Sequence, residues 1–175
     1  DVRVGPLRLV GSGVARPKTV LAAALGAFAV AAVVGLVLAL VTSLLLLVVG
    51  AAALFAAWGY TGGKSPYGYR GLGEVSVFVF FGLVAVIGTT YVQTGHLSLL
   101  ALAGGIASGA LACSILVTNN LRDIPTDRLS GKQTLAVRIG DPRTRLLYTV
   151  LVVLPFAVAA RGRAGAYRAR RCGRP

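Results

Sequence analysis

Charge is scarce in this chain of 175 residues: 13% of positions are charged, and only five are Asp or Glu. Soluble domains carry about 25% charged residues, so an ordinary soluble globular fold is excluded. Methionine is absent throughout, position 1 included, and the sequence is therefore expected to begin inside a longer reading frame. The chain opens at Asp1 without a methionine, and no signal peptide is visible. The two cysteines, Cys113 in an apolar stretch and Cys172 near the end, offer no disulfide framework. The single histidine, His96, lies in a short connection between apolar runs and reads as a solvated loop residue.

What the chain has in place of charge is hydrocarbon. It is 56% hydrophobic, with a mean hydropathy of +0.80. Val20 to Val41 and Leu97 to Thr118 each run 22 residues without a charge, Val75 to Val92 adds 18, and Leu44 to Trp58 adds 15. About 20 apolar residues cross the bilayer core as a helix, within a range of roughly 17–25. Strands of a membrane barrel would alternate polar and apolar residues, and these runs do not. The expectation is an all-α, polytopic transmembrane helix bundle with helices near 20–41, 44–60, 75–92, 97–118 and 146–160. Gly105 and Gly109 form a G-x-x-x-G pair that lets two helices approach closely. Trp58, Tyr60, Tyr67, Tyr69 and Tyr91 sit near predicted boundaries and read as an interfacial aromatic belt. Gly11-Ser12-Gly13 lacks the strand–helix context of a nucleotide fingerprint.

The net charge of +13 would point to nucleic acid in a soluble chain. No element outside the membrane is large enough to dock a duplex, and the basic residues alternate by loop. Arg3, Arg8, Arg16 and Lys18 precede the first run, Lys64 and Arg70 lie in the 59–73 loop, and Arg122, Arg128, Lys132, Arg138, Arg143 and Arg145 follow Thr118. The connections at Thr42–Ser43 and Gln93–Gly95 hold none. Basic residues mark cytoplasmic loops. The protein is accordingly expected in the plasma membrane, with the segments before residue 20, at 59–73 and at 119–145 on the cytoplasmic side.

The acids are concentrated there. Asp123, Asp127 and Asp141 fall within nineteen positions, at the edge of hydrocarbon, where a carboxylate is costly. Spacing at i and i+4 sets Asp123 and Asp127 on one helical face, with Asn119 one turn back. Pro125 either kinks that helix or starts a new one near Asp123. Mg2+ binds through one or two carboxylates plus substrate phosphates. An acid pair flanked by Arg122, Arg128 and Lys132 suits such a metal–diphosphate unit. A helix cap with surface salt bridges fits the same spacing equally well.

Longer motifs narrow the choice. Asn119-Asn120-Leu-Arg-Asp-Ile-Pro-Thr-Asp127, followed by Gly131-Lys-Gln-Thr-Leu-Ala-Val-Arg-Ile-Gly140, closely resembles the second aspartate-rich motif of the 1,4-dihydroxy-2-naphthoate polyprenyltransferases, within the UbiA-type intramembrane prenyltransferases. Tyr60-Thr-Gly-Gly-Lys-Ser-Pro-Tyr-Gly-Tyr-Arg-Gly-Leu-Gly-Glu74 looks like that subfamily's cytoplasmic loop between its fourth and fifth helices. Arg3 to Gly13 is similar to the segment after its first acidic motif. The likeness runs from about residue 1 to residue 158.

The resemblance implies nine helices around a central cavity, of which about five are present here. It also implies Mg2+ held by acids, and transfer of a polyprenyl group from polyprenyl diphosphate to 1,4-dihydroxy-2-naphthoate. Carbon dioxide is lost and demethylmenaquinone is formed. Residue by residue, Asp123 and Asp127 correspond to metal-binding catalytic acids. Asn119, Arg122, Lys132, Arg70 and Tyr67 become candidates for binding diphosphate or substrate. Glu74 opens the next helix, where it complements the helix dipole or takes a catalytic role.

The family's first motif, N-D-x-x-D, is absent from the sequence. The 175 residues alone are therefore expected to be inactive, with further helices needed to complete the site. Six arginines in the last fifteen positions, Arg161 to Pro175, look like a non-native or disordered tail read out of frame. Their alternative is a real basic juxtamembrane segment. Rival readings of the whole chain are a non-catalytic pseudogene remnant and a transporter or channel fragment. The latter would place ionisable residues at mid-span, and the apolar runs contain none.

Overall fold

The computed structural model describes residues 9–172, with side chains up to residue 161. Most of the Arg3–Gly13 block, and residues 173–175, lie outside the described residues. The elements are α1 (Pro17–Val41), α2 (Leu45–Thr61), a 3-10 turn (Tyr67–Arg70), α3 (Gly73–Thr94), α4 (Leu99–Leu129), the short α5 (Leu135–Ile139) and α6 (Asp141–Cys172). All the described regular structure is helical, as expected. Four helices are long and apolar enough to cross a membrane, and α2, with 17 residues, is a shorter apolar helix. The protein is a multi-pass helical membrane protein.

The chain divides into two compact units, Asp1–Leu54 and Phe55–Pro175. In the first, α1 starts at Pro17, where the missing N–H and fixed φ of proline suit a first helical turn, after an extended Arg16. Its large side chains, Leu21, Val30, Val33 and Val41 among them, are exposed. An apolar surface of that extent belongs against lipid or other helices rather than water.

The second unit is organised around α4, which packs against α3, α5 and α6. The turn between α3 and α4 is set by residue chemistry. Gly95, at φ 74°, closes α3, with its N–H bonded to the Tyr91 carbonyl at 2.8 Å. The Ser98 hydroxyl accepts the Ala101 N–H at 3.1 Å and caps α4. Above the turn the helices cross on glycine. A Cβ on Gly82 would stand 2.7 Å from the Gly105 oxygen and 2.8 Å from the Gly109 nitrogen. One on Gly109 would stand 3.0 Å from Phe78. The G-x-x-x-G pair is therefore a packing device, and its partner is Gly82. Around this crossing α3 widens to π-helix over Phe78–Val84, a local adjustment of helical geometry.

Three boundaries differ from expectation. The helix expected to end at Thr118 runs on through Pro125 to Leu129, so both acids sit on α4 itself. Proline is tolerated here within the helix, and Thr126 Oγ1 donates to the Asp123 carbonyl at 3.0 Å. The last helix begins at Asp141 rather than at 146, because Gly140, at φ 79°, ends the preceding element. Arg145 then pairs with Asp141 across one turn at 2.7 Å. Finally, the backbone of residues 161–172 continues the helix, where a non-native or disordered tail was expected. Ala and Arg are good helix formers, and extending an existing helix avoids the nucleation cost.

Candidate functional site

The C-terminal third of α4 changes character. Its buried face runs Ala101, Gly105, Gly109, Cys113, Val117 and then Ile124 and Asp127, so an apolar stripe acquires a carboxylate in its last turn. Asp127 is 4% exposed. Lys132 Nζ lies 3.4 Å from its Oδ1 and 4.7 Å from the centroid of the Tyr69 ring. A buried carboxylate of this kind is retained only with a cation and hydrogen bonds around it. The loop makes the same corner in its backbone: the Lys132 N–H donates to the Asp127 carbonyl at 2.9 Å, and the Ser130 hydroxyl to that oxygen at 3.2 Å.

Asp123 has a different environment. It is partly exposed and takes both Arg122 Nε at 2.9 Å and Arg122 Nη2 at 3.3 Å. The fork occupies Arg122 with its neighbour, which directs its charge to Asp123 rather than outward.

The two sequence blocks meet at one hydrogen bond. Gln133 N–H donates to the Tyr69 carbonyl at 2.9 Å, joining the loop after α4 to the 3-10 turn. Gly71 takes φ 78°, and a Cβ there would stand 3.2 Å from Arg138 Cδ. Arg138 Nε in turn donates to the Gln133 carbonyl at 3.2 Å. Tyr67 is committed to holding this turn. Its hydroxyl donates to the Ala56 carbonyl at 2.7 Å and lies 3.0 Å from Ser76 Oγ. Its ring meets that of Tyr60 edge-on at 5.6 Å. Arg70 and Asn119 are exposed. Of the residues singled out from sequence, the structure thus brings Asp127 and Lys132 together and pairs Asp123 with Arg122. Tyr67 is given a bracing contact.

Asn120, next to the expected Asn119, is the inward one. Its Nδ2 donates to Glu74 Oε1 at 2.9 Å. Glu74 is 8% exposed, and its backbone carbonyl accepts the Cys113 thiol at 3.0 Å. The signal in the sequence was present: Glu74 is the only acid of the 60–74 block and stands directly before an apolar run. Asn120 and Asp127 are seven residues apart, which places them within about 20° on one helical stripe and roughly 10 Å apart along the axis.

Among the described residues no group of three or more His, Cys, Asp or Glu side chains forms a ready metal cage. The donor set at the end of α4 is two carboxylates four residues apart. That set fits Mg2+ bound through one or two carboxylates and completed by phosphate oxygens; it does not fit an all-protein site.

Comparison with known proteins gives the same direction. The sequence profile of the UbiA prenyltransferase family matches residues 3–168. The chain belongs to that family. Over 154 residues it is 56% identical to a 1,4-dihydroxy-2-naphthoate octaprenyltransferase of Mycobacterium tuberculosis, covering 88% of this chain and 53% of the relative. A protein of the same description from Escherichia coli is 38% identical over 157 residues, covering 86% of this chain and 51% of its own length. UbiA prenyltransferase domain-containing protein 1 of Gallus gallus is 38% identical over 99 residues, 57% of this chain and 29% of that protein. The chain spans about half the length of the first two relatives. No solved structure matches it.

Proposed function

We propose that this chain forms part of a plasma-membrane prenyltransferase that moves a polyprenyl group from polyprenyl diphosphate to 1,4-dihydroxy-2-naphthoate, with loss of carbon dioxide, giving demethylmenaquinone. The observation that carries this most directly is the buried Asp127 beside Lys132, at the end of a membrane-length helix and tied to the 60–74 block through Gln133 and Tyr69. Support from the relatives lies in the activity for which the M. tuberculosis and E. coli proteins are named.

In this reading the end of α4 faces the cytoplasm and takes the diphosphate. Asp123 and Asp127 would hold Mg2+, which when bound supplies the positive charge that offsets the leaving group. Lys132, swung from Asp127 toward phosphate oxygens while stacked on Tyr69, adds a cation where negative charge builds during ionisation. Arg122, released from Asp123, adds a second, and the exposed Arg70 and Asn119 are placed to contact phosphate or substrate. The apolar stripe of α4 inward of Asp127 keeps water from the allylic cation, which the electron-rich naphthoate ring then attacks. The sequence carries one acidic motif of the family's two, so these residues represent one side of the diphosphate site. Completion requires the other motif.

The test is prenyl transfer by the full gene product, in membranes of a host that lacks its own menaquinone prenyltransferase. Demethylmenaquinone should form in a Mg2+-dependent manner and should fall at least about a hundredfold in Asp127→Ala, the size of loss seen when a preorganised charge stabiliser is removed. Undiminished turnover in both Asp123→Ala and Asp127→Ala would remove the metal assignment.

A further inference from the structure

Among the described residues, Glu74 Oε2 is the one buried side-chain oxygen or nitrogen without a hydrogen-bond partner. Such an atom in the interior is costly to leave unmade. The other oxygen of the same carboxylate is hydrogen-bonded, since Oε1 accepts Asn120 Nδ2 at 2.9 Å. The carboxylate is thus held in one orientation with one acceptor left over. Its surroundings are built rather than loose. The Tyr60 hydroxyl stands 3.2 Å from where a Cβ on Gly73 would be, and the Cys113 thiol closes on the Glu74 carbonyl at 3.0 Å.

We propose that Glu74 is a substrate-positioning residue whose Oε2 accepts a hydrogen bond from a hydroxyl of the aromatic acceptor, with Asn120 bracing the carboxylate. It rests on the prenyltransferase reading above. Position along α4 selects the acceptor over the donor. Asn120 lies on the stripe of Asp127, roughly 10 Å inward by helical rise. A diphosphate at Asp127 therefore puts its leaving carbon, and the ring that attacks it, on the Glu74 side. Charge selects in the same sense, because a carboxylate repels a multiply charged diphosphate more strongly than a singly charged naphthoate, whose phenolic O–H can still donate to Oε2. A hydroxyl held there turns the ring and leaves its electron-donating oxygen hydrogen-bonded to an anion, which raises the ring's nucleophilicity.

The full gene product, carrying both acidic motifs, is titrated in lipid nanodiscs with 4-hydroxy-2-naphthoate, with 4-methoxy-2-naphthoate, and separately with geranyl diphosphate plus Mg2+. Wild type should bind the hydroxy compound about tenfold more tightly than the methoxy compound, the size expected of one hydrogen bond to a charged group. Glu74→Gln should bring that ratio close to one, because an amide cannot serve both Asn120 and the ligand as an acceptor. Its affinity for geranyl diphosphate should stay within about twofold, since the change lies away from Asp127. Asp127→Ala should show the converse, losing Mg2+-dependent diphosphate binding and keeping the hydroxyl preference.

A hydroxyl preference retained in Glu74→Gln, or absent from wild type, overturns the role of Glu74. So does a defect that appears in diphosphate or Mg2+ binding instead. Unchanged diphosphate binding in Asp127→Ala overturns the placement of the diphosphate at Asp127, and with it the argument from position, while the hydroxyl preference still decides whether Glu74 contacts the acceptor. If Glu74→Gln does not accumulate, Asn120→Ala is measured in its place: the hydroxyl preference should shrink with diphosphate binding intact, and an unaltered preference counts against the proposal.

Discussion

The two ends of α4 solve opposite problems with the same helical stripe. Around Gly105 and Gly109 the stripe has no side chains, so that α3 comes close enough for Gly82 to meet backbone. From Asn120 to Asp127 it carries polar side chains that face Glu74 and Lys132. The first end gains stability by excluding everything from between the helices. The second keeps charge in a buried place, which opposes stability unless partners are present. A helix fixed rigidly at one end is a suitable mount for a functional group at the other.

The comparison can be broken first at the polar end. Asp127→Ala should cost the most function and little fold, because it removes a costly buried charge along with its chemistry. Lys132→Ala should do the reverse, removing a cation from beside the buried Asp127 carboxylate. A destabilisation of about 3 kcal/mol is expected for losing one partner of a buried pair, read as a lowered unfolding midpoint in detergent. Equal stability of the two variants would show that burial of Asp127 matters less than its 4% exposure indicates.

At the apolar end, Gly82→Ala should destabilise by about 1–3 kcal/mol, the usual cost of overpacking. Thermal unfolding would show it, together with weaker protection of amides in α3 and α4. Activity measured below the transition should be retained in proportion to folded protein. A selective loss of diphosphate affinity in Gly82→Ala would mean that the two ends are coupled rather than divided in labour.

Smaller effects sharpen the picture. Ser98→Ala removes the α4 cap and should cost about 1 kcal/mol, visible as faster hydrogen exchange at residues 99–102. Arg122→Ala should leave the unfolding midpoint unchanged. Its pair with Asp123 is exposed, with 50% of the Arg122 side chain accessible, and exposed pairs contribute little. A clear shift there would mean that Asp123 is less solvated than the structure places it.

Much of this was legible in the residues. Long uncharged runs located the helices, since nothing else satisfies backbone groups in lipid. The G-x-x-x-G pair announced a close crossing, and the Asn119–Gly140 block located the acids. Sequence left undecided whether Pro125 ends the helix, because proline disfavours its interior without forbidding it. It also favoured Asn119 over Asn120 from the i, i+4 spacing to Asp123. The inward face follows the line through Val117, Ile124 and Asp127, one residue away, and only packing against Glu74 settles that choice. For Glu74 the sequence left a helix-dipole and a catalytic role both open, because its partner Asn120 lies 46 positions along the chain. For the arginine-rich segment, composition alone did not show that the helix continues to Cys172, which the helix propensity of Ala and Arg allows.

The short connection at residues 95–98 makes α3 and α4 a hairpin whose tightest contacts, Gly82 with Gly105 and Gly109, join helices adjacent in chain order. Contacts of low sequence separation form early. During synthesis this pair can zip together as soon as α4 leaves the ribosome, before α6 has emerged. Asp127 would then reach the membrane surface on an already anchored hairpin, and a carboxylate that bilayers resist would be delivered at the edge rather than pulled through.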